Sequence, residues 1–149
     1  MPEKKTLKTF LVNGSIDSDS IAKSIANHNS KKEIGAHSIF LGQVRADVSD
    51  NRTVAAIDFT AYPEMAEKQI SEIREEIIVK HKLTCAHIKH SLGKLMVGEI
   101  CLFIFVSSPH RKAAMEACNE MVERIKKEVP IFGKEIFDDE SYQWKENKA

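Results

Sequence analysis

Glu99-Ile100-Cys101-Leu102-Phe103-Ile104-Phe105-Val106-Ser107-Ser108-Pro109-His110-Arg111 is the stretch from which the rest of the chain can be read. Its first half is a nearly continuous apolar run. That predicts a strand covered on both faces, or a strand lying at a subunit interface. Ser107 to Arg111 has the composition of a helix start. Beyond it Met115, Cys118, Val122, Ile125 and Val129 recur at three- and four-residue steps, which predicts an amphipathic helix that Pro130 ends.

Working outward, Ala86 to His90 reads as a core strand that ends at a Leu92-Gly93 turn. Before it, Pro63 suits the first turn of a helix whose apolar stripe is Met65, Ile70, Ile73, Ile77 and Ile78, running to about Lys80. Val54 to Tyr62 alternates as a long strand does. Ala46 to Thr53, rich in Asp, Ser and Asn, predicts a loop or hairpin turn. Ala36 to Leu41 rises into a strand that stops at Gly42-Gln43-Val44-Arg45. Further back, Asn27 to Lys32 is a polar connection. Ile16, Ile21 and Ile25 mark a short helix with Asp17, Ser18 or Asp19 as its cap, and Thr9 to Val12 a short first strand. Past Pro130, Ile131 to Trp144 mixes β-formers with turn residues. The order β-α-β-β-α-β-β-α-β predicts one α+β domain over residues 1–149, with a mainly antiparallel sheet.

Composition excludes several functions. Twenty-two basic residues meet 22 acidic ones, so no global field draws the chain to nucleic acid or to an anionic membrane, and neither is expected as a partner. Any bound anion must be held by a local cluster. No run approaches membrane-spanning length, and Met1-Pro2-Glu3-Lys4-Lys5 lacks the apolar core of a signal peptide, so a cytoplasmic location is expected. Cys85, Cys101 and Cys118 are odd in number, widely spaced and without a C-x-x-C pair. They read as buried free thiols of a reducing compartment rather than as a redox or metal centre.

Three basic islands are the candidate functional residues. Arg45 stands where a strand ends after Gly42; taken alone, it is as well explained as a solvated charge. His110-Arg111 falls at a predicted helix N-terminus, where backbone N–H groups, the helix dipole and two cations can address one phosphate; spacing alone fits equally well a pair of surface cations set unfavourably against the dipole. The third island is Lys126-Lys127 with Lys134 beyond Pro130-Ile131-Phe132-Gly133. Lys126 lies one turn from Val122 and from Val129, flanking the apolar stripe, whereas Lys127 turns further out. A lysine on such a flank lays its stem along apolar surface, or, if desolvated, serves proton transfer or stabilises an oxyanion. His87 and His90 are three apart on a predicted strand and so point to opposite faces, which excludes a metal shared between them. No G-x-S-x-G, P-loop or dinucleotide-binding glycine signature is present.

At these islands the chain resembles the molybdopterin synthase large-subunit family. The matching blocks are Gly35-Ala36, Phe40-Leu41-Gly42-Gln43-Val44-Arg45, Tyr62-Pro63-Glu64-Met65-Ala66, His90 with Leu92-Gly93, and Val97-Gly98-Glu99. Further on they are Val106-Ser107-Ser108-Pro109-His110-Arg111, Ile125-Lys126, Val129-Pro130-Ile131, Lys134-Glu135 and Trp144. The resemblance is strongest over residues 34–144. It implies an α/β-hammerhead-like fold and a sulfurtransferase that makes the molybdopterin dithiolene from cyclic pyranopterin monophosphate, in molybdenum cofactor biosynthesis. The sulfur donor it implies is a small ubiquitin-like subunit whose C-terminal Gly-Gly carries a thiocarboxylate. Two large subunits would form a central homodimer inside a heterotetramer, and no metal or organic cofactor would be needed.

Residue by residue, the resemblance implies that Gln43, Val44, Arg45, His110, Arg111, Lys126, Gly133, Lys134, Glu135 and Lys148 meet the substrate, with Lys126 and Lys134 catalytic. Lys126 would stabilise negative charge on the carbonyl oxygen as water releases the small subunit's tail, and move protons as the cyclic phosphate opens. Two positions depart from the pattern. Gly133 stands where a lysine is expected, with Lys134 one place later to replace it, and Ser91 stands where the family carries arginine. A non-catalytic anion-binding or scaffolding homodimer of the same fold is the competing expectation.

Overall fold

A computed structural model describes residues 9–145. In chain order it contains β1 (Leu11–Asn13), α1 (Ser18–Asn27), β2 (Ala36–Gln43), β3 (Val48–Ser49), β4 (Arg52–Ala61) and α2 (Pro63–His81). Then follow β5 (Cys85–Met96), β6 (Ile100–Ser108), α3 (Arg111–Glu128), β7 (Ile131–Phe137) and β8 (Tyr142–Trp144). The sheet runs β2-β6-β5-β4-β7-β8, with β1 beside β5 and β3 beside β4. Every pairing is antiparallel except β1 with β5. This is the α+β domain with a mainly antiparallel sheet that the sequence predicts.

The decisive stretch becomes the centre of the fold. β6 is covered on both faces by its own chain. Leu102, Ile104 and Val106 face α2 and α3, while Phe103 and Phe105 face Ile16 and Ile21 from the α1 side. Its residues from Leu102 to Val106 are no more than 3% exposed, so β6 is a core strand and not the subunit-interface strand it was also expected to be. Each such side chain contributes about 1.5–3 kcal/mol on burial.

Two helices form the main cover. Pro63 opens α2, Ala66, Ile70, Ile73 and Ile77 are its buried stripe, and Lys82 closes it in the left-handed conformation (φ 52°). Glu67, on the same helix, accepts backbone N–H bonds from Phe10 and Leu11 and so holds β1 in place. α3 buries Ala114, Ala117, Cys118, Met121, Val122 and Ile125. The expected stripe residues Met115 and Met65 are instead 63% and 53% exposed. The α3 stripe is rotated toward its alanines, because small side chains let the helix approach α2 and the sheet closely. At the other helix Asp17 is the N-cap, its carboxylate accepting from the Ser20 amide at 2.8 Å.

β5 departs most from expectation. Leu92-Gly93 does not end it; the strand continues to Met96. Its first half, Cys85 to His90, pairs with β6, and its second half, Gly93 to Met96, pairs with β4. Gly93 has φ +92°, a conformation that costs an L side chain, and there the strand changes partners. The chain thus builds a second, smaller core from Val44, Val54, Ile57, Phe59, Leu95 and Phe137 beside the first. The Ala46–Thr53 segment is the expected hairpin, turned by Asp50 and Asn51 with positive φ. The tail resolves into β7 and β8, closing the far edge of the sheet.

Candidate functional site

The change of partner in β5 leaves a cleft of about 530 Å³ between the two cores, within the usual size range of small-molecule sites. The last turn of α3 and the start of β7 form one wall, because Pro130 takes the chain from helix into strand within two residues. Gly42 and Gln43 at the end of β2, and Cys101 and Leu102 of β6, form another. His90 and Trp144 also line it.

Among the described residues, three lysines belong to this lining: Lys126, Lys127 and Lys145. Lys126 is exposed at the rim, so what it offers the cleft is positive charge. Among the described residues, the one acidic lining residue is Glu128; Arg124 binds it at 2.7 and 3.1 Å, and those hydrogen bonds hold its carboxyl below the usual carboxylate range. Lys127 lies 3.7 Å from Glu123 across one helical turn. On a chain with no net charge the cleft is therefore a local cationic cluster, made where the α3 dipole also favours cations.

Beside the lysines sit a buried group, His90, and a half-buried one, Cys101. Burial lowers the pKa of His90 to about 4, assisted by the charge of Lys126, so the ring is neutral near pH 7. Its Nδ1 donates to the Ser91 carbonyl at 2.8 Å, which leaves Nε2 with a lone pair. Burial also pushes the Cys101 thiol up, while Lys145 and Lys126 both pull it back. The two ammonium groups thus act on one point inside the cleft.

The residues expected at the site fall into groups. Gln43, Lys126 and Gly133 are brought together in the cleft lining. Val44 is buried just behind it, 1% exposed. Glu135 shares the Gly133 face of β7, is buried, and accepts from Gln143 Nε2 at 3.1 Å. Arg45 is exposed and donates to Asp47 at 2.5 Å; that carboxylate raises its pKa. Lys134 is absent from the lining: strand alternation turns it to the other face of β7, where its ammonium lies 4.8 Å from the Tyr142 ring centre. His110 and Arg111 open α3, far from Lys126, with no side-chain cap and no acidic residue in the first turn. Lys148 lies outside the described residues.

Lys145 is the residue that sequence reasoning missed. Its backbone N–H donates to the Gly133 carbonyl at 2.8 Å, one step beyond the Lys134–Trp144 pair, so it stands directly across from Gly133. Gly133 has no positive φ to explain it. A Cβ there would come 3.2 Å from Ile57 Cγ2 and 3.4 Å from Phe59 Cε1, so the site is tight for a side chain of its own. Only the β7–β8 register reveals this pairing.

Fold and site together define an α+β domain with a cationic cleft, suited to an anionic ligand of small-molecule size. The family model for the MoaE protein matches residues 11–128. The chain belongs to that family. It is 42% identical over 129 residues to the molybdopterin synthase catalytic subunit of Bacillus subtilis, an alignment covering 87% of this chain and 78% of the relative. The crystal structure of molybdopterin synthase from Staphylococcus aureus superposes with a TM-score of 0.81 at 34% identity, covering 94% of this chain and 98% of that one. A complex of subunits 1 and 2 of molybdopterin-converting factor from Helicobacter pylori shares the fold, with a TM-score of 0.76 at 19% identity over 93% and 90% of the two chains. Among the described residues no helix is long and apolar enough to cross a membrane.

Proposed function

We infer that this chain is the catalytic subunit of a molybdopterin synthase. In this reading it takes sulfur from a thiocarboxylated small subunit and passes it to a pterin phosphate precursor, in the cytoplasm, with residues 1–149 acting as one large-subunit domain. The observation that carries the assignment is the cluster of Lys126 and Lys145 around one cleft that also presents Gln43 and Gly133. Substrate and sulfur donor are both anions, so their approach needs cations that screen the repulsion. Lys126 then stabilises charge on the donor's carbonyl oxygen when water attacks and releases the small subunit's tail as a carboxylate. Lys145 supplies the second ammonium beside Gly133. Neutral His90 accepts a hydrogen bond without adding charge. Arg45 and, from a twofold-related copy, His110 and Arg111 hold the substrate's phosphate and pterin, with Val44, Glu135 and the half-buried Lys134 supporting the walls around them, and Lys148 as a further substrate contact.

The test is reconstitution. Purified chain, precursor and thiocarboxylated small subunit should yield dithiolene product, and Lys126→Ala should stop it while leaving a folded protein. A chain that binds precursor yet never turns over would instead be the non-catalytic anion-binding or scaffolding homodimer.

A further inference from the structure

The face of β5 opposite the cleft carries a second cluster, which the proposed reaction does not use. Cys85 and His87 are two positions apart on the strand, so both side chains project to the same side. His28, the residue that closes α1, meets them there. The donor atoms of the three, two imidazole nitrogens and one sulfur, all lie within 4.8 Å of one another. His28 and Cys85 are each 7% exposed. The His28 ring packs 4.7 Å from that of Phe105.

We propose that His28, Cys85 and His87 bind one thiophilic divalent transition-metal ion, zinc in the cell, leaving a fourth position open to water. The first argument is orientation. His28 Nδ1 donates to the Ser24 carbonyl at 2.6 Å, which places the ring proton there and turns Nε2 toward Nε2 of His87, 3.0 Å away. A backbone carbonyl on the outer nitrogen is the support that metal-bound imidazoles ordinarily have, because it fixes both tautomer and ring plane.

The second argument is size. Zinc bonds of about 2.0–2.1 Å to nitrogen and about 2.3 Å to sulfur, at tetrahedral angles, set ligand atoms roughly 3.3–3.7 Å apart. The observed separations run from 3.0 Å to at most 4.8 Å, so each donor need move by less than about 1 Å. The third is donor chemistry: two imidazoles and a thiolate suit zinc or cobalt and do not suit magnesium or calcium. On binding, the Cys85 thiol gives its proton to solvent and the His87 ring proton moves from Nε2, where it is shared with His28, to Nδ1, so affinity rises with pH. The ion would clip the end of α1 to β5, where Ile16 and Ile21 otherwise hold that helix to the sheet through Phe103 and Phe105.

The experiment uses the full chain, stripped with a chelator and titrated with Co²⁺ under reducing conditions. Expected are the visible bands of four-coordinate cobalt and a near-ultraviolet thiolate charge-transfer band. Both should saturate at one ion per chain, vanish on adding Zn²⁺, and accompany a raised Tm. Cys85→Ala should remove the charge-transfer band, and His87→Ala should weaken binding by about tenfold or more. His87 is half-buried, which makes its replacement the safer one for folding. A weak six-coordinate spectrum overturns the proposal, as do bands that persist in both variants with native circular dichroism. Either result would leave a histidine pair joined by an N–H···N hydrogen bond and no metal site. Sulfur transfer is read separately, on the cleft side, so neither outcome depends on it.

Discussion

His110 and Lys126 cannot serve one substrate from within one subunit, and the consequence is measurable. They are 16 positions apart, and α3 runs unbroken from Arg111 to Glu128. At about 1.5 Å per residue their backbones are roughly 24 Å apart along the axis, more than a pterin phosphate bridges even with long side chains reaching toward it. If both act on the substrate, one must come from a twofold-related copy. Arg111→Ala and Lys126→Ala should then be inactive alone and complement each other when mixed. With free exchange at equal amounts, half the dimers are mixed and each holds one intact site of two, so activity returns to about one quarter of wild type. The assay is dithiolene formation with precursor and thiocarboxylated small subunit, after subunit exchange has been verified by native mass spectrometry. No recovery despite verified exchange would refute the shared site. The two islands would then be unrelated, and His110-Arg111 would lie outside the chemistry.

The remaining predictions concern single residues. Lys126→Ala should keep a native circular dichroism spectrum and lose about a hundredfold or more in single-turnover rate, the usual effect of removing one positioned charge stabiliser; near-normal turnover would remove Lys126 from the mechanism. Lys145→Ala should lose about tenfold or more, while Lys134→Ala stays within about twofold because its ammonium lies over Tyr142; the reverse order would show that Lys134 reaches the cleft after all. His90 should make the fold acid-sensitive: the unfolded chain takes up its proton near pH 6.5 and the folded chain only near 4, so stability intact above 6.5 is lost as pH falls toward 4. The loss is about 3 kcal/mol, and urea melts of His90→Gln at pH 7 and pH 4.5 should lack it. Gly35→Ala should cost about 1–3 kcal/mol, since its Cβ would run into the Pro109 carbonyl oxygen; an unchanged Tm would mean that the loop moves freely.

Much of this protein is determined by local sequence, because local rules act over distances shorter than one element. The apolar run Ile100–Val106 fixed a buried strand, Pro63 and Pro130 bounded helices, Asp17 capped one, and balanced charge required a local anion site. The resemblance carried by spaced blocks such as Ser107-Ser108-Pro109-His110-Arg111 led to the family that the comparisons establish. What it could not decide were relations between residues far apart in the chain. Periodicity says that a helix has an apolar face but not where that face is centred, so Met115 looked buried until Ala114 and Ala117 set the approach of α3. Gly93 looked like a stop, because the strand that takes over its pairing, β4, lies more than 30 positions away. Lys134 looked like the substitute for a missing lysine, because adjacency in sequence is visible and cross-strand register is not. That register puts Lys145 beside Gly133. His28 and His87 likewise meet only because α1 folds back across β5, and a pairing 59 positions apart is decided by the packing of the sheet, not by any motif.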